Sequence, residues 1–172
     1  MDIESLRGFR RIESSRFSYP LSGFSMSKKH PFSQVFYGTY DLSATDDRSE
    51  VTLALNSFNP KTAFTWPETI RDYRVYLSIS VVPDFEWQEY TRCYEPAYFP
   101  FSNRRKTIIS EWKSISYYPT DILMSLKFDN DFVPQERSIV IVALGFEFAT
   151  MIENGSPYIV KDHGSMAIIG CV

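Results

Sequence analysis

The sequence is poor in the residues that enzymes and metal proteins commonly use. Its 172 residues include two cysteines, two histidines and seven glycines. It lacks His-Glu-x-x-His, cysteine pairs at metal-ligand spacing, and the phosphate-cradling patterns G-x-G-x-x-G and G-x-x-x-x-G-K-[ST]. We therefore predict a protein that is not an enzyme, with no cofactor, no metal and no small-molecule substrate.

Long apolar runs are also missing. A membrane-spanning helix needs roughly 18 apolar residues, and the longest run here, residues 139–148, is interrupted by Gly145 and Glu147. The first twenty residues lack the apolar stretch of a signal peptide. We expect any membrane contact to be peripheral, and Cys93 and Cys171 to be free thiols in a reducing compartment.

An uneven distribution of charge is the most informative feature that is present. Residues 1–30 carry six basic and three acidic side chains, whereas residues 31–172 carry twelve basic and eighteen acidic ones. We interpret residues 1–30 as a flexible basic N-terminal arm, because serine, proline and glycine interrupt any regular pattern. Residues 31–172 form the predicted globular domain. Opposite charges on one chain favour binding to polyanions and self-association.

Basic side chains in the arm and in one triplet of the domain are candidates for contact with a nucleocapsid or an anionic lipid surface. A guanidinium group pairs with phosphate through two hydrogen bonds, and neighbouring rings stack on bases or lie among lipid headgroups. A solvated leader and a solvated turn are the alternative interpretation. The candidates are Arg7, Arg10, Arg11, Arg16, Lys28, Lys29, Arg104, Arg105 and Lys106.

Aromatic residues make up 16% of the chain, enough to supply both a core and an interface. Many lie in the arm and in residues 83–103, a proline-rich stretch that we expect to be a long ordered loop. The rings of this loop either fill a core beneath it or form a pocket for the arm of a neighbouring copy. Insertion of that kind gives an open lattice. The self-association candidates are Phe17, Tyr19, Pro20, Leu21, Phe24, Tyr94, Tyr98 and Phe99.

Hydrophobic periodicity predicts an α+β fold, as a single compact domain with a mixed, mainly antiparallel sheet and a few short helices. Thr65 and Glu68 form a capping box that predicts a short helix over residues 66–73. Residues 138–148 fit either a strand or a buried helix, and Asn154-Gly155 predicts a hairpin turn. Alternating side chains predict strands over residues 32–42, 51–56, 75–82 and 122–128, the first two forming a hairpin.

The order of these segments resembles that of rhabdovirus matrix proteins, and the short chain is most similar to those of plant cytorhabdoviruses. Residues 36–82 resemble the strand, helix and strand order of the family, and residues 151–162, M-I-E-N-G-S-P-Y-I-V-K-D, resemble its last hairpin. The resemblance implies a viral structural protein that self-associates, binds and condenses the nucleocapsid, and lines the inner face of the envelope during virion assembly. It also implies contact with the envelope glycoprotein, and location in the virion and at host cytoplasm and membranes during infection.

Two departures from the family pattern keep other interpretations open. Animal members carry the budding motif P-P-x-Y, whereas this arm has only Ser-Tyr-Pro-Leu at residues 18–21, and the chain has a net charge of −3 where animal members are strongly basic. One alternative is another viral structural or movement protein with nucleic-acid affinity. A second is a host-acting binding module, and a third is a metal-dependent nuclease that uses Asp129 and Asp131.

Overall fold

Two antiparallel sheets carry the fold of this chain. The structure, a computed structural model, describes residues 11–65, 69–97, 104–115, 118–151, 156–161 and 163–172. Its helical segments are a 3₁₀ turn at Tyr19–Leu21, α1 (Phe32–Val35) and α2 (Pro60–Ala63). Its strands are β1 (Asp41–Ala44), β2 (Glu50–Phe58), β3 (Asp72–Pro83), β4 (Phe85–Gln88), β5 (Cys93–Pro96), β6 (Arg105–Ile109), β7 (Lys113–Ser114), β8 (Thr120–Lys127), β9 (Ser138–Met151), β10 (Pro157–Ile159) and β11 (Ser165–Cys171).

The larger sheet is built around the long pair β3 and β9, which stay in register from Asp72 opposite Ala149 to Pro83 opposite Ser138. The outer edge of β3 pairs with β6 and β7, and the outer edge of β9 pairs with β10 and β11. Alternate residues of β3 are buried, because successive side chains of a strand point to opposite faces. All these pairs are antiparallel, and the predicted fold class is confirmed.

The smaller sheet, in the order β1, β2, β8, packs its apolar face against the larger one. Val51, Leu53 and Leu55 of β2 are fully buried and join the same core cluster as the inner faces of β3 and β9. Phe64 lies among the rings at the centre of this core, and the centroid of its ring is 4.7 Å from that of Phe146. Further ring contacts of 5.1–5.7 Å join Phe64 to Phe36, Phe58, Tyr73 and Phe148.

The prediction of a strand over residues 32–42 is wrong in its first half. Phe32, Val35 and Phe36 are buried while Gln34 is exposed, which is the spacing of a helical face rather than of a strand. These residues form α1, and the hairpin strand β1 begins only at Asp41. The predicted hairpin with β2 is present, with Ala44 opposite Val51.

The predicted helix over residues 66–73 is also wrong at its C-terminal end, because β3 already begins at Asp72. The capping partner Glu68 lies outside the described residues. The helix in this region is α2, where the Asn59 side chain accepts a hydrogen bond from the Lys61 amide at 3.0 Å. Pro60 follows this cap, and proline is well suited to the first turn of a helix.

Residues 83–103 contain a hairpin, not the continuous loop that we predicted. β4 and β5 pair from Phe85 opposite Pro96 to Gln88 opposite Cys93, and residues 98–103 lie outside the described part of the chain. The predicted strands over residues 51–56, 75–82 and 122–128 are confirmed, and residues 138–148 form a strand. β9 and β10 form the predicted hairpin, although its Asn154-Gly155 turn is not among the described residues. In the described ranges, no helix is long and apolar enough to cross a membrane.

Candidate functional site: the arm docked on the domain

The described part of the arm, residues 11–30, lies against the domain at two places. At the first, Ile12 exchanges both backbone hydrogen bonds with Phe85 of β4, at 2.9 and 3.0 Å. Asp84, which is only 3% exposed, accepts hydrogen bonds from the Ser15 amide at 2.8 Å and the Ser15 hydroxyl at 2.7 Å. The Ser14 hydroxyl lies 3.2 Å from the same carboxylate. Because a buried carboxylate needs donors, Asp84 fixes the arm at Ser14 and Ser15.

Charged side chains surround this first attachment. Arg137 lies 3.9 Å from Asp84 and donates to Glu86 at 2.6 Å. Arg11 of the arm also approaches Glu86, at 3.6 Å, while Arg16 approaches Glu13 within the arm at the same distance. Two of the predicted arm cations therefore face acidic groups in the docked state.

At the second place, the arm adds itself to the free edge of β11. The Gly23 amide donates to the Ile168 carbonyl at 2.8 Å, and the Ile168 amide donates to the Phe24 carbonyl at 3.0 Å. The Met26 amide then donates to the Met166 carbonyl at 2.8 Å. These bonds bracket an antiparallel bridge between Ser25 and Ala167, so the arm extends the larger sheet by one short, irregular strand.

The end of the arm is marked by both histidines of the chain. The rings of His30 and His163 stack with a centroid distance of 5.2 Å and an angle of 20° between their planes. The Ser165 hydroxyl donates to the His30 carbonyl at 2.7 Å, which ties the last arm residue to the start of β11. His30 is half-buried in this arrangement.

A groove of about 350 Å³ runs between the docked arm and the outer face of the larger sheet. Met26 and Ser27 of the arm line one side, and Met166 and Tyr76 line the other with the Glu147 carboxylate. Arg74 donates to Glu147 at 2.7 Å and stacks over the Trp112 ring at 4.6 Å.

The Tyr76 hydroxyl also donates to Glu147, at 2.7 Å. Burial, together with this hydrogen bond to a carboxylate, raises the pKa of Tyr76 above its usual value. Arg74 and Glu147 balance each other's charge, so the polar end of the groove carries no net charge.

The structure distributes the predicted basic residues over separate surfaces. Arg104 stacks over the Phe132 ring at 5.4 Å, Arg105 is exposed on β6, and Lys106 contacts Asp129 at 2.5 Å. Lys28 and Lys29 are exposed at the end of the arm. Arg7 and Arg10 lie outside the described residues.

The predicted self-association residues fall into two groups. Phe17 and Phe24 of the arm are 43% and 59% exposed, Pro20 is exposed and Leu21 is half-buried. Tyr94 lies on β5, where its ring packs edge-on against Trp87 at 5.5 Å. Tyr19 lies in the 3₁₀ turn, and Tyr98 and Phe99 lie outside the described residues.

The attachment through Asp84 was not predicted. Ser14 and Ser15 were interpreted only as interruptions of regular structure, and Asp84 as part of a loop. The available signal was an acidic residue just beyond the predicted strand over residues 75–82, a position where a carboxylate can be buried with the strand end. Its two serine partners lie 69 and 70 residues away in sequence, and no local pattern joins them.

The paired acids proposed for a nuclease each face a lysine. Asp129 contacts Lys106 at 2.5 Å, and Asp131 contacts Lys127 at 3.5 Å. Within the described ranges, no group of three or more His, Cys, Asp or Glu side chains is arranged to hold a metal ion. No protein-family model, no curated protein and no solved structure matches this chain.

Proposed function

We propose that the chain is a viral matrix structural protein, which self-associates, binds and condenses the nucleocapsid, and lines the inner face of the envelope. The observation that carries this proposal is the pairing of the arm with β11 through backbone hydrogen bonds. Backbone pairing at a sheet edge is a common way for one protein chain to bind another. The arm of a second copy offers the same backbone groups.

Release of the arm leaves two surfaces that need partners. The edge of β11 would expose the amide of Ile168 and the carbonyls of Met166 and Ile168, and unpaired edges readily accept strands from other chains. The released arm would expose its own backbone groups at the same time. A head-to-tail exchange satisfies both, and because it need not close, it builds an open array.

Apolar side chains on the docked arm support the same proposal. Phe17, Phe24 and Met26 are exposed even while the arm lies on the domain. Exposed apolar side chains along one short segment are available for contact with other proteins or with a membrane. In an array of copies, these side chains would be covered by the next molecule or by lipid.

Charge supports both self-association and polyanion binding. The arm is basic and the domain acidic, so copies attract each other end to end, and salt weakens that attraction. Arg16, Lys28 and Arg105 are exposed in the docked state and remain candidates for phosphate groups of RNA or lipid. The membrane and nucleocapsid roles rest on these cations and on the family resemblance.

A cross-linking experiment between copies tests the exchange of arms. Ser25 and Ala167 face each other as a pair without direct hydrogen bonds, and the Cα atoms of such pairs lie about 4.5 Å apart, which suits a disulfide. Ser25→Cys and Ala167→Cys are placed on separate copies that also carry Cys93→Ser and Cys171→Ser. After mixing and oxidation at low salt, we expect disulfide-linked dimers, and fewer of them at high salt.

A matched pair within the domain provides the control. The side-chain oxygens of Thr52 and Ser125 lie 3.2 Å apart across β2 and β8. Thr52→Cys and Ser125→Cys on separate copies should give no dimers, whereas both changes on one copy should give an internal disulfide. Equal dimer yields in the two mixtures would refute arm exchange, and a protein that sediments as a monomer at low salt would refute self-association itself.

Sedimentation with vesicles and with RNA tests the polyanion partners. We expect the intact protein to bind single-stranded RNA and vesicles containing phosphatidylserine, and to bind phosphatidylcholine vesicles much less. Replacing Arg16, Lys28 and Arg105 together by alanine should weaken both interactions and lower their dependence on salt. Binding unchanged by the triple replacement would remove these residues from the proposed contact surface.

A further inference from the structure

A second cavity, of about 230 Å³, lies between residues 37–39, the end of β2 and α2. Among the residues that the structure describes, no Asp, Glu, Lys or Arg side chain lines this cavity. Its lining is instead rich in neutral hydrogen-bonding groups beside the aromatic residues Tyr37 and Phe58. The side chains concerned are Tyr37, Thr39, Asn56, Ser57, Asn59 and Thr62.

The ring of Tyr37 forms an exposed wall of the cavity. The backbone amide of Tyr37 donates a hydrogen bond to the Ala63 carbonyl at 2.7 Å, and the Tyr37 hydroxyl lies 3.2 Å from the Gln34 carbonyl. Tyr37 is nevertheless 61% exposed. Gly38 follows, where a Cβ atom would lie only 2.7 Å from the Phe36 ring. The chain can therefore pass close to the core and still present the Tyr37 ring to solvent.

The opposite wall is a bulge in β2 that turns polar side chains into the cavity. The register of β2 with β8 shifts between Leu55 and Phe58, and Ser57 has a φ of +48°. Such a left-handed conformation is unfavourable for a residue other than glycine, and here the Asp121 carboxylate holds it by accepting a hydrogen bond from the Ser57 amide at 2.7 Å. Bulges recur beside binding sites because they redirect side chains.

Hydrogen bonds within this wall fix the orientation of its polar groups. The Asn56 side-chain amide donates to Asp41 at 2.7 Å, which assigns Oδ1 as the acceptor that remains. The Thr62 hydroxyl lies 3.3 Å from the Asn59 carbonyl, to which it can donate, and it keeps its own oxygen as an acceptor. The cavity thus offers both donors and acceptors, as amide and hydroxyl groups do.

We infer that this cavity binds a neutral polyhydroxylated ligand, a single sugar ring. One apolar face of the sugar ring would stack on Tyr37, and the hydroxyl groups of the sugar would bond to Asn56 and Thr62. A charged ligand would lose water here without gaining an opposite charge, which makes neutral ligands the better fit. The volume is at the small end for ligand sites and suits one ring better than an oligomer.

Titration of the intact protein with methyl glycosides of glucose, galactose, mannose and N-acetylglucosamine tests the inference. Binding is followed by saturation-transfer NMR on the sugar and by the aromatic signals of Tyr37. We expect at least one glycoside to bind saturably in the millimolar range. Tyr37→Ala should weaken it at least about tenfold, and Thr62→Val, which keeps the shape but removes the hydroxyl, should weaken it several-fold.

Two variants separate binding at this cavity from general effects on the surface or fold. Tyr37→Phe keeps the ring face and should bind like the unchanged protein. Tyr158→Ala removes a ring that is 62% exposed on β10, and it should leave binding unchanged. The inference is overturned if none of the four glycosides binds saturably up to about 50 mM, or if Tyr37→Ala and Tyr158→Ala have the same effect. Stronger binding of glucuronate than of glucose would also contradict it.

Discussion

The contacts that hold the central strands of the domain together differ greatly from those that hold the arm to the domain. β3 pairs with β9 over twelve consecutive residues, and the inner side chains of both strands are buried. Within the described residues 11–30, the arm makes three backbone hydrogen bonds to β11 and one backbone pair with β4, and its hydrogen-bond partners include the buried side chains of Asp84 and Ser165. Elements with few buried apolar contacts open locally at much lower free energy than the whole domain. The arm can therefore detach while the sheets remain folded.

The largest expected effect comes from the ring cluster between the sheets. Phe64→Ala removes a ring that contacts five others, and large-to-small changes at such sites cost about 3–5 kcal/mol of unfolding free energy. Urea unfolding followed by circular dichroism measures the loss. Phe24→Ala on the exposed face of the arm is the matched control, with an expected change within about 0.5 kcal/mol. Similar losses of unfolding free energy in the two variants would contradict the expected difference between the ring cluster and the arm.

A smaller and local effect is expected at the first attachment of the arm. Asp84→Ala removes the acceptor of three hydrogen bonds from Ser14 and Ser15, and should lower the free energy of arm opening by about 1–3 kcal/mol. Hydrogen exchange at the amides of Ile12 and Ser15 should accelerate, while exchange at Leu77 in β3 stays slow.

Asp84→Asn serves as the conservative comparison, because its amide oxygen still accepts from serine. We expect intermediate exchange at Ile12 for this variant. Accelerated exchange at Leu77 in Asp84→Ala would show that the attachment supports the sheets as well as the arm, contrary to the comparison above.

The smallest effect is expected at the exposed turn between β1 and β2. Hydrogen bonds from Thr45 and Ser49 lower the pKa of Asp47 to about 2. The folded-state pKa is below the usual value of 3.8. The Asp47 carboxylate therefore stabilises the folded state above about pH 4, and this contribution to the free energy of unfolding is lost as the pH falls towards 2. NMR titration of the Asp47 carboxyl signal measures this, and Thr45→Val should raise the pKa. A midpoint near 3.8 in the unchanged protein would contradict the hydrogen-bonded turn.

Local patterns in the sequence were sufficient for most of the sheet. Val75, Leu77 and Ile79 alternate with less buried residues over a long stretch, so the period of two is unambiguous. The same reasoning failed at Phe32 and Phe36, because their spacing of four fits both a strand and one turn of helix. Burial of Val35, which decides between them, depends on distant residues.

The candidate site was less accessible to such reasoning. Charge asymmetry and the interruption of regular patterns by serine, proline and glycine predict an arm, but they indicate neither the strand to which it binds nor the carboxylate that fixes it. Asp84 and Ala167 lie far from Ser15 and Ser25 in the chain, and pairing across such distances has no local signal. The arm and the domain differ clearly in charge, although the docked arm adds to the larger sheet of the domain.

The late position of β9 has a consequence for synthesis of the chain. β3 is complete at Pro83, but its long partner begins only at Ser138. Ribosomes add about 5–20 residues per second, so the edge of β3 that pairs with β9 stays unpaired for on the order of 3–10 s before that partner emerges. During this interval the nascent chain has an uncovered, aggregation-prone strand, and chaperone supply in the producing cell should govern the yield of soluble protein.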